Sequence, residues 1–166
     1  MVNARTIEMI TKNILETENI NPFPKTKELE QLVTSLGGKC FAAKIKGKSS
    51  LVIPKQAKEN MALFAINYNS ELDAFEKKYA IAKELGHLVL HALRQDGNIK
   101  KTEDLCNPSN EYEAKQFALT LLMPKEIFTN AHKLCTEGCC ADITSIADFF
   151  EVSSDMVEER KKMLRL

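Results

Sequence analysis

The stretch YAIAKELGHLVLH, Tyr79 to His91, places Lys83, Glu84 and His87 in one helical register. A zinc-peptidase helix of the HExxH type has two histidines four apart with a glutamate after the first. Its imidazoles share one face around Zn²⁺ and its carboxylate serves as general base. Glu84 and His87 hold two of those places, and Lys83 stands where the first histidine would be. The stretch supplies a general base, one imidazole and an ammonium in place of a ligand.

A site of this kind needs a third ligand from a second helix. CNPSNEYEAKQFALTLLMP reads as that helix, with Asn107 as cap, Pro108 at its first position and a stop before Pro124. Glu111, Ala114, Ala118 and Leu121 fall on one stripe, whose small residues admit close approach of another helix. Glu111 heads the stripe where a carboxylate ligand would be needed. Glu113, two residues on, points to another face; it reads as a solvated or capping glutamate, with a role as alternative ligand left open.

The surrounding elements follow from periodicity and punctuation. Ile7, Ile10 and Ile14 mark a first helix that ends before NINPFPK, and Leu29, Leu32, Val33 and Leu36 mark a second, stopped by Gly37-Gly38. KCFAAKIKG, SSLVIP and NMALFAINYN read as a small antiparallel sheet. Glu71 to about Leu93 is apolar on more than one face, the pattern of a buried central helix, and it carries the motif.

At 166 residues the chain suits one domain spanning residues 1–166. Its 23 basic and 23 acidic residues balance, which leaves no overall field favouring nucleic acid or an anionic membrane. No segment reaches the roughly 18 apolar residues of a membrane span, and the N-terminal stretch has no secretory h-region, so a soluble cytoplasmic protein is expected. The five cysteines, Cys40, Cys106, Cys135, Cys139 and Cys140, are then expected as reduced thiols. The cluster KLCTEGCC with His132 nearby matches neither usual CxxC pairing and reads as incidental thiols in a loop.

The segments together resemble the ImmA/IrrE family of metallopeptidases, whose best-known members cleave helix-turn-helix repressors of mobile elements or of DNA-damage responses. ELEQLVTSLGG is similar to the family's helix before the sheet. FAINYNSELDAFEKKYAIAKELGHLVLH resembles its strand, loop and active helix ending in HELGHLxLH. EYEAKQFALTLLMP resembles its ExxAxxFAxxLLMP segment, and IADFFEVSSDMVEERKKMLRL its closing IAxxFxVSxxxVxxRLxxL pattern. The resemblance implies a zincin-type fold, Glu84 as general base, His87 as zinc ligand and Glu111 as third ligand. At Lys83 the carry-over fails.

An ammonium has no lone pair, so Lys83 binds zinc only as the neutral amine. Neutralising a lysine of ordinary pKa near 10.4 at pH 7 costs on the order of 4–5 kcal/mol. A charged Lys83 would instead stand in for the cation between Glu84 and Glu111 and leave the fold tolerant of an empty site. His91, four residues after His87, is a candidate replacement imidazole, set against a packing role behind the ligands.

Residues 142–166, DITSIADFFEVSSDMVEERKKMLRL, follow a helix, Val-Ser turn, second helix pattern. The second helix begins SSDMVEE, and Asp155, Glu158 and Glu159 would repel phosphate, so it reads as a packing unit rather than a DNA reader. The fold expected is α+β: a mostly helical, zincin-like domain with a small antiparallel sheet. Two functions remain open: a Zn²⁺ peptidase acting on a helix-turn-helix repressor-type regulator, and a non-enzymatic binder of the same kind of partner. Direct nucleic-acid binding is the third and weakest reading.

Overall fold

The computed structural model describes residues 2–54, 61–93, 107–137 and 140–166. Asn3 accepts from the Thr6 N–H and starts α1 (Ala4–Thr17), which buries Ile7, Thr11 and Leu15. α2 (Thr26–Ser35) begins where the Lys25 N–H donates to Glu28 Oε2 at 2.8 Å, and buries Leu29, Leu32 and Val33. Gly37, at φ +84°, turns the chain out of α2 in the left-handed conformation glycine adopts without a Cβ clash. Gly38 then opens β1 (Gly38–Ala43) against the Phe64 ring, where a Cβ would come within 2.3 Å of ring carbons.

β2 (Ser49–Val52) and β3 (Phe64–Asn69) complete a three-stranded sheet in the order β1-β3-β2. β3 pairs antiparallel with β2 and parallel with β1, so the sheet is mixed, where the sequence reading expected antiparallel pairing throughout. The cause is burial: Phe64 and Ile66 are covered, and a strand this apolar takes the centre between two neighbours. β2 is left as an edge beside the central helix.

That helix, α3 (Ala74–His87), is capped by Asp73, which accepts from the Glu76 N–H. It continues into a single π-turn, Leu88–Ala92, closed by Leu93 N–H to the Leu88 carbonyl. α4 (Pro108–Leu122) has the expected cap, Asn107 Oδ1 accepting from Asn110 N–H, and Pro108 in the first turn. α3 and α4 cross closely at Gly86: a Cβ there would meet Ala114 Cα and its carbonyl oxygen at 3.0 Å and Phe117 Cβ at 3.1 Å. Ala114, Ala118 and Leu121 are fully buried, as the small-residue stripe implied.

α5 (Lys125–Leu134) follows Pro124, and two short strands, β4 (Thr136–Glu137) and β5 (Cys140–Ala141), pair antiparallel where a loop was expected. α6 (Ile143–Phe150) and α7 (Ser154–Leu164) close the chain around Val152 and Ser153. Ile146, Phe150, Val152 and Val157 join the same core as Ile7, Leu29, Ile81 and Phe117. Two buried cations fasten the closing pair. Lys78 of α3 donates to the Phe150 carbonyl at 2.7 Å, at the C-terminus of α6, and burial pulls its ammonium down to about 8. Arg160 of α7 donates from Nε to the Met123 carbonyl at 2.9 Å and from Nη1 to Thr120 Oγ1 at 3.0 Å.

Since the α3–α4 spacing at Gly86 leaves no room for a branched side chain, Gly86→Val is expected to destabilise the fold by at least about 1–3 kcal/mol in urea unfolding. Unchanged stability would mean that the two helices do not approach so closely.

Candidate functional site

The crossing of α3 and α4 brings together residues 24 or more positions apart in sequence. Lys83, Glu84 and His87 lie within the last two turns of α3, and Glu111 lies in the first turn of α4. Lys83 Nζ donates to Glu111 Oε2 at 3.1 Å and lies 3.8 Å from Glu84 Oε1. His87 Nε2 is 3.0 Å from the other Glu111 oxygen, Oε1. One carboxylate therefore bridges the ammonium and the imidazole. Among the described residues His87 Nδ1 is buried without a hydrogen-bond partner, which assigns the ring proton to Nε2, donating to Glu111.

Glu84 is 4% exposed, while Glu111 opens to solvent. Sequence reasoning missed the residue that satisfies Glu84: Ser49 of β2 donates to Glu84 Oε1 at 2.6 Å. No local signal announces Ser49, because the contact spans 35 positions and depends on β2 being the edge strand beside α3. The carboxylate expected as general base thus holds a hydroxyl donor and a nearby ammonium on the same oxygen.

For Glu111, burial acts to raise the carboxyl, but the Lys83 ammonium, by charge and hydrogen bond, and then His87 outweigh it. Together they hold Glu111 below its ordinary value.

Glu113 differs from expectation. It is 4% exposed rather than solvated, because α4 packs under the start of α1 and Glu113 Oε1 accepts from the Val2 N–H at 2.9 Å. Its second oxygen is 3.9 Å from His91 Nδ1. His91, carried on the π-turn, is 3.2 Å through Nε2 from the Asn110 carbonyl, and its ring centroid is 5.8 Å from that of His87. His91 and Glu113 therefore face each other beside the Lys83 cluster and contribute to the footing of α4. Cys135 is a partly buried free thiol; Cys106, Cys139 and the Cys140 side chain lie outside the described residues.

The donor set can be tested against zinc on its own chemistry. Catalytic zinc takes three protein ligands from His, Glu, Asp or Cys. Here the cluster offers one imidazole and one carboxylate, and the third group on that carboxylate is an ammonium without a lone pair. Among the described residues no group of three or more His, Cys, Asp or Glu side chains could hold a metal ion. The described residues do not fit zinc. Among the described residues, too, no helix is long and apolar enough to cross a membrane.

A family profile described as the IrrE N-terminal-like domain, Peptidase M78, matches residues 58–162. No curated protein sequence matches the chain significantly. Among solved structures, a Mycobacterium tuberculosis transcriptional regulator is similar with a TM-score of 0.66 at 14% identity, over 94% of this chain and 46% of that one. At that identity the likeness is one of fold, and this chain spans less than half the length of that regulator.

A carboxyl held below its ordinary value adds stability above its unfolded value, 4.5, and loses that contribution as the pH falls through the lowered one. The natural chain should exceed Glu111→Gln by up to about 1 kcal/mol at pH 7, a modest figure because Glu111 is half exposed. Urea unfolding at pH 7 and pH 3 checks this; the gap should narrow as the pH falls, and a gap independent of pH would contradict the ion pair.

Proposed function

The chain belongs to the IrrE N-terminal-like, Peptidase M78, family, and we propose that within it this protein binds a helix-turn-helix repressor-type regulator on a peptidase scaffold whose metal is replaced by the Lys83 ammonium. The observation that carries this reading is the position of Lys83 Nζ, 3.1 Å from Glu111 and 3.8 Å from Glu84, the carboxylates that would hold or serve a metal. A positive charge at that place neutralises both without a bound ion. Ser49 on Glu84 adds a second restraint on the would-be base.

The surface suits a partner's extended segment. Among the described residues β2 is an edge strand with its outer backbone unpaired within the sheet, and Ser49 on it contacts Glu84. A segment added beside β2 would gain main-chain hydrogen bonds and run past the Lys83 cluster. The regulator as partner is supported by the family's activity on repressors and, loosely, by the fold shared with a transcriptional regulator.

A second reading, zinc-dependent cleavage of the same partner, has one observation in its favour. His87 Nε2 and Glu111 Oε1 are 3.0 Å apart, close to the roughly 3.3 Å between two ligands on a tetrahedral zinc. That reading needs a third ligand in place of Lys83.

Lys83→His removes the cost of deprotonating lysine, on the order of 4–5 kcal/mol, and should tighten zinc binding at least 100-fold in competition with a chromophoric chelator. Equal affinity in both proteins would mean that Lys83 is not at the metal position. Immobilised on a column, the natural chain should also retain a helix-turn-helix repressor-type regulator, sought among the products of genes next to its own, and leave it uncut after incubation with zinc. Fragments would establish the peptidase reading, and failure to bind would remove both.

A further inference from the structure

The 23 basic and 23 acidic residues balance over the whole chain but not along it. Residues 31–54 hold four lysines, Lys39, Lys44, Lys46 and Lys48, and no acid. Residues 142–159 hold six acids and no lysine, arginine or histidine. The first stretch runs from the end of α2 through β1 and β2, and the second through α6 into α7.

Each stretch also presents apolar surface to solvent. The strand register aligns Phe41 with Asn67 and Ser50, and Lys39 with Ala65 and Val52, on the face opposite Ile66 and Leu51. α2 and α3 cover the Ile66 side, where Lys77 lies over the Tyr68 ring and Ser49 meets Glu84. The outer side is open: Phe41 and Leu63 are each 49% exposed and Val52 is 42% exposed. Lys44 and Lys46 extend this face into the turn after β1, which Asn69 holds by donating to the Ile45 carbonyl at 3.1 Å. Among the described residues only Lys48 of the four lysines is paired, with Glu76. On α6, Phe149 is 49% exposed beside Asp148, its ring braced by Phe23 and Phe150 at centroid distances of 5.3 and 4.8 Å. Glu151 and Glu159 are paired with Lys25 and Lys115, whereas Asp148, Asp155 and Glu158 make no ion pair among the described residues.

Like faces do not suit each other, since lysine would oppose lysine or carboxylate oppose carboxylate. Unlike faces match in charge and in apolar content, and a chain of zero net charge offers no long-range repulsion to its own copy. Within one copy the two lie on different sides of α3, which turns Lys77 and Glu84 to the sheet and Lys78 to the C-terminus of α6. They meet only between copies.

We propose that the outer face of the sheet docks the α6–α7 face of a second copy of this chain, with Phe41, Val52 and Leu63 against Phe149 and the unpaired lysines toward Asp148, Asp155 and Glu158. The contact is heterologous, so a pair still has one free face of each kind and takes up further copies until a ring closes.

Sedimentation velocity of the full chain tests this. At low salt the average mass should rise with protein concentration beyond that of two chains. Association should weaken at least tenfold in about 1 M salt, where the Debye length is about 3 Å. Lys44→Gln with Lys46→Gln, and separately Asp148→Asn with Asp155→Asn, alter only exposed side chains, and each double variant should self-associate at least tenfold more weakly. Mixed, the two variants should form a one-to-one complex at the natural affinity and stop at two chains, because the first keeps its acidic face and the second its basic one. A natural chain that stays monomeric at low salt would overturn the proposal, as would variants that do not complement each other. Binding of a monomeric chain to phosphatidylglycerol vesicles or to a thymidine oligonucleotide, lost with Lys44 and Lys46, would give the sheet face another anionic partner and overturn it too.

Discussion

The close crossing of α3 and α4 at Gly86 and Ala114 is the constraint on which the rest depends. With no side chain at Gly86, the last turns of α3 come near enough to the first turn of α4 for Lys83 and His87 to reach opposite oxygens of Glu111. A wider spacing would leave Glu111 in water without Lys83 and His87. The same contact fixes α4 over α1, where Glu113 takes the Val2 N–H, and so sets the far wall of the molecule.

Within that frame the charges balance locally. Two carboxylates, Glu84 and Glu111, share one neighbour at the α3–α4 junction, and holding them around it without compensation would be unfavourable. The ammonium of Lys83 stands between them, Ser49 adds a hydroxyl from β2, and His87 adds an N–H. Both carboxylates of the cluster are thus met by donors that the chain carries itself. Zinc entering this arrangement would have to displace or deprotonate Lys83 and free His87 from Glu111, with only two good ligands to offset that cost.

Much of this was legible in sequence because it is local. Asn107-Pro108 announces α4, Gly37 ends α2, and the Ala114, Ala118 stripe announces a close helix neighbour opposite Gly86. Lys83 beside Glu84 already indicated an ammonium among carboxylates, and the spacing put His87 on the same face. What stayed hidden depends on distant packing. The parallel pairing of β1 with β3 follows from which strand is most buried, not from any turn. Glu113 read as solvated because its cover comes from Val2, 111 positions away, and from His91 on a π-turn that no periodicity foretells. Ser49 gave no signal at all until β2 was placed at the sheet edge.

The most direct test of Lys83 in the place of the metal is the zinc content of the natural protein, purified without chelator or added zinc and measured per chain by native mass spectrometry. The account predicts a chain mass without zinc, with Lys83 charged and paired to Glu111. Close to one zinc per chain would contradict it, since the metal would then be held despite the lysine and the scaffold would have to be treated as a peptidase.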